Sequence, residues 1–457
     1  MSASAPHDPY AALRHAGYRR FLIGNFLANI GRQAFNVAAA WQIYQWTHSA
    51  TALGLVGLVN VLPLLAFVLP AGVLADRHDR RRIIMRTTVV SVLLSFMLVL
   101  VTHYHASIPR LAPLDAANRL LHGTALLFER HTDTSLLRFD NPALPLTYLI
   151  LLIQASLRVL AGPSRGAFVP LLVPQSALSN AVTWTSSSFE LSTVLGPALG
   201  GLIVAFTGYS TVYLLDVLAG GIFIVMLLGV HPVNAGRPTT APRTGILAGM
   251  RFMWRNPNIL AAMSLDLFAV ILGGVTALLP IYADQILHVG PAGLGWLRAA
   301  PAAGAIAMAM FSAHRPSARR PGLIMLWSVA GFGAALTVFG LSTSFWLSLV
   351  ALFFSGSFDN YSVVVRHSLV QLMTPDSLRG RVTAVNQLFV GSSNEISSLR
   401  AGLMAALFGP VVAAGVGGLG TIAVTMIVAW LAPSLRRVPP LNQIKTVNEE
   451  EPKAPAP

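Results

Sequence analysis

Nine ionisable side chains of this 457-residue chain fall inside long apolar stretches: Arg32, Arg158, Glu190, Asp216, Asp266, Arg298, Asp359, Glu395 and Arg400. A charge held in hydrocarbon costs at least a few kcal/mol, so each such residue should face a partner or a water-filled space. Acids and bases brought together there can pair, and a proton or an anionic substrate can compete for the pairing. A carboxyl group withdrawn from water keeps its proton more firmly, which suits a group that carries a proton near neutral pH. The same residues can equally form static ion pairs that hold helices in register. Asp266 and Asp359 are the first candidates for proton coupling, with Glu190 and Glu395 behind them. Asp216 reads as interfacial or packing. Arg298 and Arg400 either meet an anionic substrate or balance Glu190 or Glu395.

The elements that must position these residues follow from composition. Hydrophobic residues make up 54% of the chain and charged residues 11%, against roughly 25% charged in soluble proteins, and the mean hydropathy is +0.64. This excludes a cytosolic enzyme, a secreted disulfide scaffold and a disordered regulator. With no Cys there is no disulfide, thiol chemistry or Cys-ligated metal. The net charge of +14 does not indicate nucleic-acid binding, which needs a soluble basic face. Here the basic residues sit in short blocks between apolar runs.

Crossing a bilayer takes about 20 mostly apolar residues. That length predicts twelve helices, at about 20–45, 51–74, 83–102, 146–163, 181–206, 211–230, 258–283, 292–312, 322–342, 345–365, 382–407 and 411–432. The first is the most polar, with Asn25, Asn29, Arg32, Gln33 and Asn36, and should face protein or water. Arg32 lies about 18 Å along that helix from Arg20, at about 1.5 Å per residue, near the midplane. The first twenty residues are polar, so no secretory signal peptide is expected.

Even-numbered connections carry the arginines, among them Arg77, Arg80, Arg81, Arg82, Arg165, Arg251, Arg255, Arg366, Arg379 and Arg381. Odd-numbered connections carry none except Arg110, Arg119, Arg130 and Arg138, all in one insertion at about 103–145. The positive-inside rule then places both termini in the cytoplasm and the insertion in the periplasm of a bacterial inner membrane. The insertion holds His103, His105 and an amphipathic run from Leu114 to Phe128. It reads as a solvated loop, with metal binding or pH sensing by the His pair as the alternative. Segment 1–19 reads as a cytoplasmic lead, 231–257 as a cytoplasmic linker and 433–457 as a disordered cytoplasmic tail.

The chain also repeats. RGAFVPLLVPQS at 165–176 matches RHSLVQLMTPDS at 366–377 in five of twelve positions, 201 residues apart, and each copy follows an even-numbered span. A shift of 241 superposes the basic loop at 76–86 on that near 315–327, the difference being the length of the insertion. Two six-helix halves result, 20–230 and 258–432.

Gly72-Val-Leu-Ala-Asp76-Arg77-His-Asp79-Arg80-Arg81-Arg82 resembles the major facilitator signature between the second and third helices, with Asp79 where Gly is usual. Gly196-Pro197-Ala-Leu-Gly200-Gly201 resembles the Gly-Pro-x-x-Gly-Gly motif of drug exporters, and Arg158-x-x-x-Gly162 a companion motif. Phe21 to Gln33, Phe358 to Arg366 and Thr374 to Asn386 are similar to the enterobactin-exporter and macrolide-efflux-like branch of drug:proton antiporters. Ser398 and Arg400 stand where that branch often has acids. The resemblance implies an all-α major facilitator fold, whose first, fourth, seventh and tenth helices would gather Arg32, Arg158, Asp266 and Asp359 around one cavity. It implies a gate in which Asp76 meets the N-terminus of the eleventh helix, beside Arg379 and Arg381, where free N–H groups and the helix dipole favour an anion. The alternative for the Arg cluster is topology and binding of anionic lipid headgroups. The small residues Gly196, Gly200 and Gly201 around Pro197 suit close helix packing and a bend.

The expectation is a secondary transporter, not an enzyme, acting as a monomer. It would export a siderophore, macrolide or drug-like molecule by alternating access, with a proton gradient as its energy source and no cofactor. Import or uniport without protons is the rival within transport, and a membrane-embedded transferase the rival outside it.

Overall fold

The computed structural model describes residues 8–130, 136–231, 246–314, 320–440 and 443. Most of the tail and of the linker expected at 231–257 therefore lie outside the described residues. Twelve helices run as expected: α1 (Ala16–Thr47), α2 (Ala50–Arg77), α3 (Arg80–His103), α5 (Ala143–Leu172), α6 (Leu178–Thr207) and α7 (Tyr209–Leu228) form the first half. The second half is α9 (Pro257–Gly273) continuing into α10 (Leu279–Ile281), then α11 (Gly290–Ala313), α12 (Pro321–Leu341), α13 (Phe345–Met373), α14 (Asp376–Phe408) and α15 (Pro410–Leu431). Ten of the twelve are long and apolar enough to cross a bilayer by that measure alone. The other two, α1 and α14, are the polar-rich ones, and protein shields their polar groups: Asn25 and Gln42 of α1 and Ser393 and Ser397 of α14 are buried. The protein is a multi-pass membrane protein.

Three shorter helices lie outside the spans: α4 (Ala112–Phe128) in the insertion, α8 (Ile246–Arg255) before the seventh span and α16 (Pro433–Arg436) after the twelfth. The seventh span is broken. Its α-helix ends at Gly273, a 3-10 turn covers Thr276–Leu278, and after α10 a π-helical turn covers Tyr282–Ile286. Two helices run on past an arginine at which the expected span stops. Spans ending at 163 and 365 stop just before Arg165 and Arg366, yet α5 runs to Leu172 and α13 to Met373. Both arginines, expected in loops, therefore lie inside helices. The charge ended the apolar window without ending the helix, because neighbouring helices supply its surroundings.

The helix ends repeat between the halves. Gly208 and Gly409, 201 residues apart, both hold φ +87° in the turns that join α6 to α7 and α14 to α15. Their N–H groups donate to Val204 and Ala405, again 201 apart. His48 and His288 both lie in the left-handed region, between the first and second helices of each half, where His is tolerated better than most residues. The arginine-bearing loops and the insertion lie at opposite ends of the helices, called here the arginine-rich face and the insertion face.

Apolar packing differs at the two faces. Near the insertion face one core runs through both halves, including Phe35, Tyr44, Leu53, Tyr213, Leu278, Tyr282, Phe339 and Ala405. Toward the arginine-rich face it separates into a core of the first half (Tyr18, Phe21, Ile84, Phe168, Phe223) and cores of the second (Leu265, Met325, Leu369, and Met253, Val382, Val385). Among the described residues, two polar bonds between the halves lie on the side where the core is shared. Gln45 Nε2 donates to Asp284 Oδ1 at 3.2 Å and Arg130 N to Ala406 O at 3.0 Å, both near the insertion face.

With ψ −179° and 157°, Gly208 and Gly409 hold an extended conformation at positive φ that is essentially confined to glycine, and a residue with a Cβ there costs about 1–3 kcal/mol. Gly208→Ala and Gly409→Ala should each lower stability by roughly that amount, and a denaturant titration in detergent micelles measures it.

Candidate functional site

Between the halves lies a cavity of ≈ 390 Å³ whose ionisable walls are Arg158 of α5, Arg298 of α11 and Glu395 of α14. Gln33, Asn36, Asn60, Thr193 and Asn394 add polar groups, and Val56, Leu151 and Ala302 are among the apolar ones. A side lobe of ≈ 70 Å³ shares Asn36, Asn60, Leu151 and Arg158 with it, and is also lined by Arg32 and Arg165. Arg158 is open to the cavity and donates from Nη2 to Asn60 Oδ1 at 3.0 Å. The charge of Glu395 acts on both Arg158 and Arg298. Glu190 lies outside the wall, exposed, one helical turn from Thr193 toward the arginine-rich face.

The expected grouping of Arg32, Arg158, Asp266 and Asp359 is corrected by these positions. Arg32 and Arg158 do share the side lobe, but Asp266 and Asp359 line neither volume. Asp266 is buried and paired with the equally buried Arg366 of α13. Asp359 is half-buried on α13, on the helical stripe of Ser355, Ser362 and Arg366 by its spacing of four, three and seven residues. The true partner of Arg32 is Asp216, at 3.3 Å. Asp216 is thus no interfacial residue: Gly31 brings α1 so close to α7 that a Cβ there would meet Asp216 and Ala219. Ser95 donates to Asp216 at 2.6 Å, Gln154 donates to Ser95 at 3.0 Å, and Arg32 donates to Ser91 at 2.5 Å and to Gln154. One polar network therefore joins α1, α3, α5 and α7. Arg400 meets neither acid proposed for it. Its Nη2 donates to Gly274 O at 3.3 Å, at the break in the seventh span, where exposed carbonyls and the helix dipole attract a cation.

The signature loop has a structural part in the arginine-rich face. Asp79 caps α3, accepting from Arg81 N at 2.8 Å and Arg82 N at 3.2 Å, which explains an acid where the resembled pattern has Gly. Arg81 donates to Leu227 O and Leu228 O at the end of α7, and Arg80 to Ala167 O of α5. Asp76 is exposed and, among the described residues, has no hydrogen bond or ion pair. The side chain of Arg379 lies outside the described residues. Arg77 is exposed, and a Cβ at Gly72 would meet nothing.

The Gly-Pro motif of α6 packs two ways. Gly196 and Gly200 abut Gln33 and Ala34 of α1, within the first half. Gly201 abuts Pro291 and Gly295 of α11, in the second half, and Pro197 lines the cavity.

A family model described as transmembrane secretion effector, one of the major facilitator group, matches residues 7–126 and 114–455. The chain belongs to that family. It is 27% identical over 428 residues to the enterobactin exporter EntS of Citrobacter koseri, covering 93% of each chain, and 26% identical with the same coverage to EntS of Escherichia coli O1:K1. Among solved structures it resembles a bacterial homologue of the human lysosomal transporter Spinster (TM-score 0.62, 15% identity, 99% and 100% of the two chains). It also resembles a peptide transporter (TM-score 0.65, 12% identity, 92% and 95%). The family's relatives are transporters, which removes the transferase alternative. The protein is a major facilitator transporter of small molecules.

Sequence reasoning missed Asn60 and the side-lobe position of Arg165. An Asn in an otherwise apolar run was the available signal for the first.

Removing one member of a buried pair leaves an uncompensated charge. Asp216→Asn and Asp266→Asn should each destabilise by about 3 kcal/mol, measured by unfolding titration in micelles. Asp216→Leu combined with Arg32→Met should recover most of the first loss.

Proposed function

We propose that this transporter exports small organic molecules across the bacterial inner membrane against proton entry, as a monomer, by rocking its two halves around the central cavity. The observation that carries the reading is the placement of Glu395: it is the one carboxylate among the described wall residues, and it sits between arginines of both halves. Arg158 belongs to the first half, Arg298 and Glu395 to the second. While ionised, Glu395 is hydrogen-bonded to Asn60 of α2 and attracts Arg158 of that same half; once protonated, it keeps no charge attraction for Arg158. A proton can thus bias the relative positions of the halves, which is what coupling requires. Asp266 loses its first place as a coupling residue because its charge is already balanced by Arg366. Asp359 and Glu190 rank behind Glu395 because neither lines the cavity.

Export is favoured over import by the similarity to proteins named enterobactin exporters. The arginine distribution supports cytoplasmic termini, so that the separated side faces the cytoplasm. In that orientation the structure would be ready to load from within. The arginine cluster of the signature loop would then lie at the anionic lipid headgroups of the cytoplasmic leaflet.

Purified protein in liposomes with an internal pH dye, challenged with siderophores, macrolides and cationic dyes, tests the reading. Proton movement should accompany one compound class and be lost in Glu395→Gln while Asp359→Asn retains it. Substrate movement with no proton flux in the wild type would contradict the coupling.

A further inference from the structure

The charge on the cavity wall is lopsided. The two connected volumes are lined by Arg32, Arg158, Arg165 and Arg298, and by a single described carboxylate, Glu395. Arg32 is matched by Asp216. Arg158 bonds only to the neutral amide of Asn60 among the described residues. Arg165 has Phe223 under its guanidinium, 5.7 Å from the ring centroid, and no described carboxylate partner. Arg298 likewise has no ion pair among the described residues. Three arginines thus stand against one carboxylate at membrane depth, and the positive excess persists even if Glu190 at the mouth is counted.

A static bundle gains nothing from such an excess. Charges that only hold helices together come matched, as the pairs Arg32–Asp216 and Asp266–Arg366 do here. Arginines that face a cavity without carboxylate partners leave charged donors unfilled between the helices, and a ligand that supplies anionic oxygens fills them. The guanidinium fork suits carboxylate and related oxyanions, to which it can donate two parallel hydrogen bonds. A cation entering the same space would find one acid and three repelling charges.

We propose that the cavity selects organic anions: an apolar body seated among Val56, Leu151 and Ala302, with an anionic oxygen group held by Arg158 and Arg298. This rests on the cavity being the transport site. Because Arg158 and Arg298 belong to different halves, the anion bridges them and is felt by the rocking motion itself. Glu395 can remain ionised alongside it, since one carboxylate does not satisfy three arginines.

The test uses the full chain in lipid nanodiscs and three probes that share one fluorophore: dansylglycine (anion), dansylamide (neutral) and dansylcadaverine (cation). Saturation binding is read from dansyl fluorescence. Dansylglycine should bind saturably and at least about tenfold more tightly than dansylcadaverine, the scale of a charge-assisted hydrogen bond. Arg158→Gln with Arg298→Gln should erase that preference. Arg158→Lys with Arg298→Lys should keep much of it, which separates lost charge from lost folding. Equal affinities, tighter cation binding, or no saturable anion binding would overturn the proposal, as would a preference indifferent to the Gln changes. Uptake of the same probes by proteoliposomes separates this proposal from the transport reading. An anion bound through the arginines but never moved would leave the anion-binding site standing and remove its identity with the transport site. A cation moved independently of the arginines would do the reverse.

Discussion

Close approach of helix backbones at the insertion face is the constraint on which the rest of the structure depends. A Cβ at Gly402 would strike Gly54 and the Ala50 carbonyl, and one at Gly201 would strike Gly295 and the Pro291 carbonyl. These two seams, α2 with α14 and α6 with α11, join the halves side by side. Small residues permit such contacts where lipid offers no hydrophobic drive between helices. With the seams closed at one face and the apolar cores separated toward the other, a cavity remains between the halves. Gly200 and Gly201, adjacent in sequence, divide the labour: one packs α6 inside its own half and the other packs it across the gap.

Charge within the bilayer then sorts into two kinds. Arg32 with Asp216, Asp266 with Arg366, and Arg400 with the broken end of the seventh span are each balanced where they stand. They brace each bundle as a body that can move as a unit. Arg158, Arg165, Arg298 and Glu395 face the cavity without such one-to-one matching, and Arg158 and Glu395 both bond Asn60. Balanced charge belongs to the scaffold and unbalanced charge to the site.

Most of the architecture was legible in the sequence because bilayer thickness imposes a length that apolar runs must meet. The repeat was legible for a related reason: both halves solve the same problem, down to the shared turns at Gly208 and Gly409. Helix ends at Arg165 and Arg366 were misread because hydropathy treats charge as a boundary, whereas a bundle interior can hold it. The break after Gly273 left no mark in hydropathy, and its signal was instead the Gly273-Gly274 pair and Pro280. Partner choice was the least legible. Nothing local to Asp216 announces Arg32, a contact that depends on Gly31 letting α1 approach α7, and Asp266 had no visible tie to Arg366, a hundred residues away. The cavity was inferred from the helices that line it in the resembled fold, but its acid came from the eleventh span.

The proposed motion requires the seams to open at the insertion face as the arginine-rich face shuts. Because the chain has no Cys, pairs of spin labels can be introduced without background. One pair at Thr207 and Ala292 reports the insertion face, and one at Ser179 and Met310 the opposite face, each joining α6 to α11. Two populations are expected in lipid: a dominant one, short at the first pair and long at the second, and a minor one with both reversed, enriched by Gly402→Leu. Distances at both faces that stay fixed, or that lengthen together, would contradict the proposed motion.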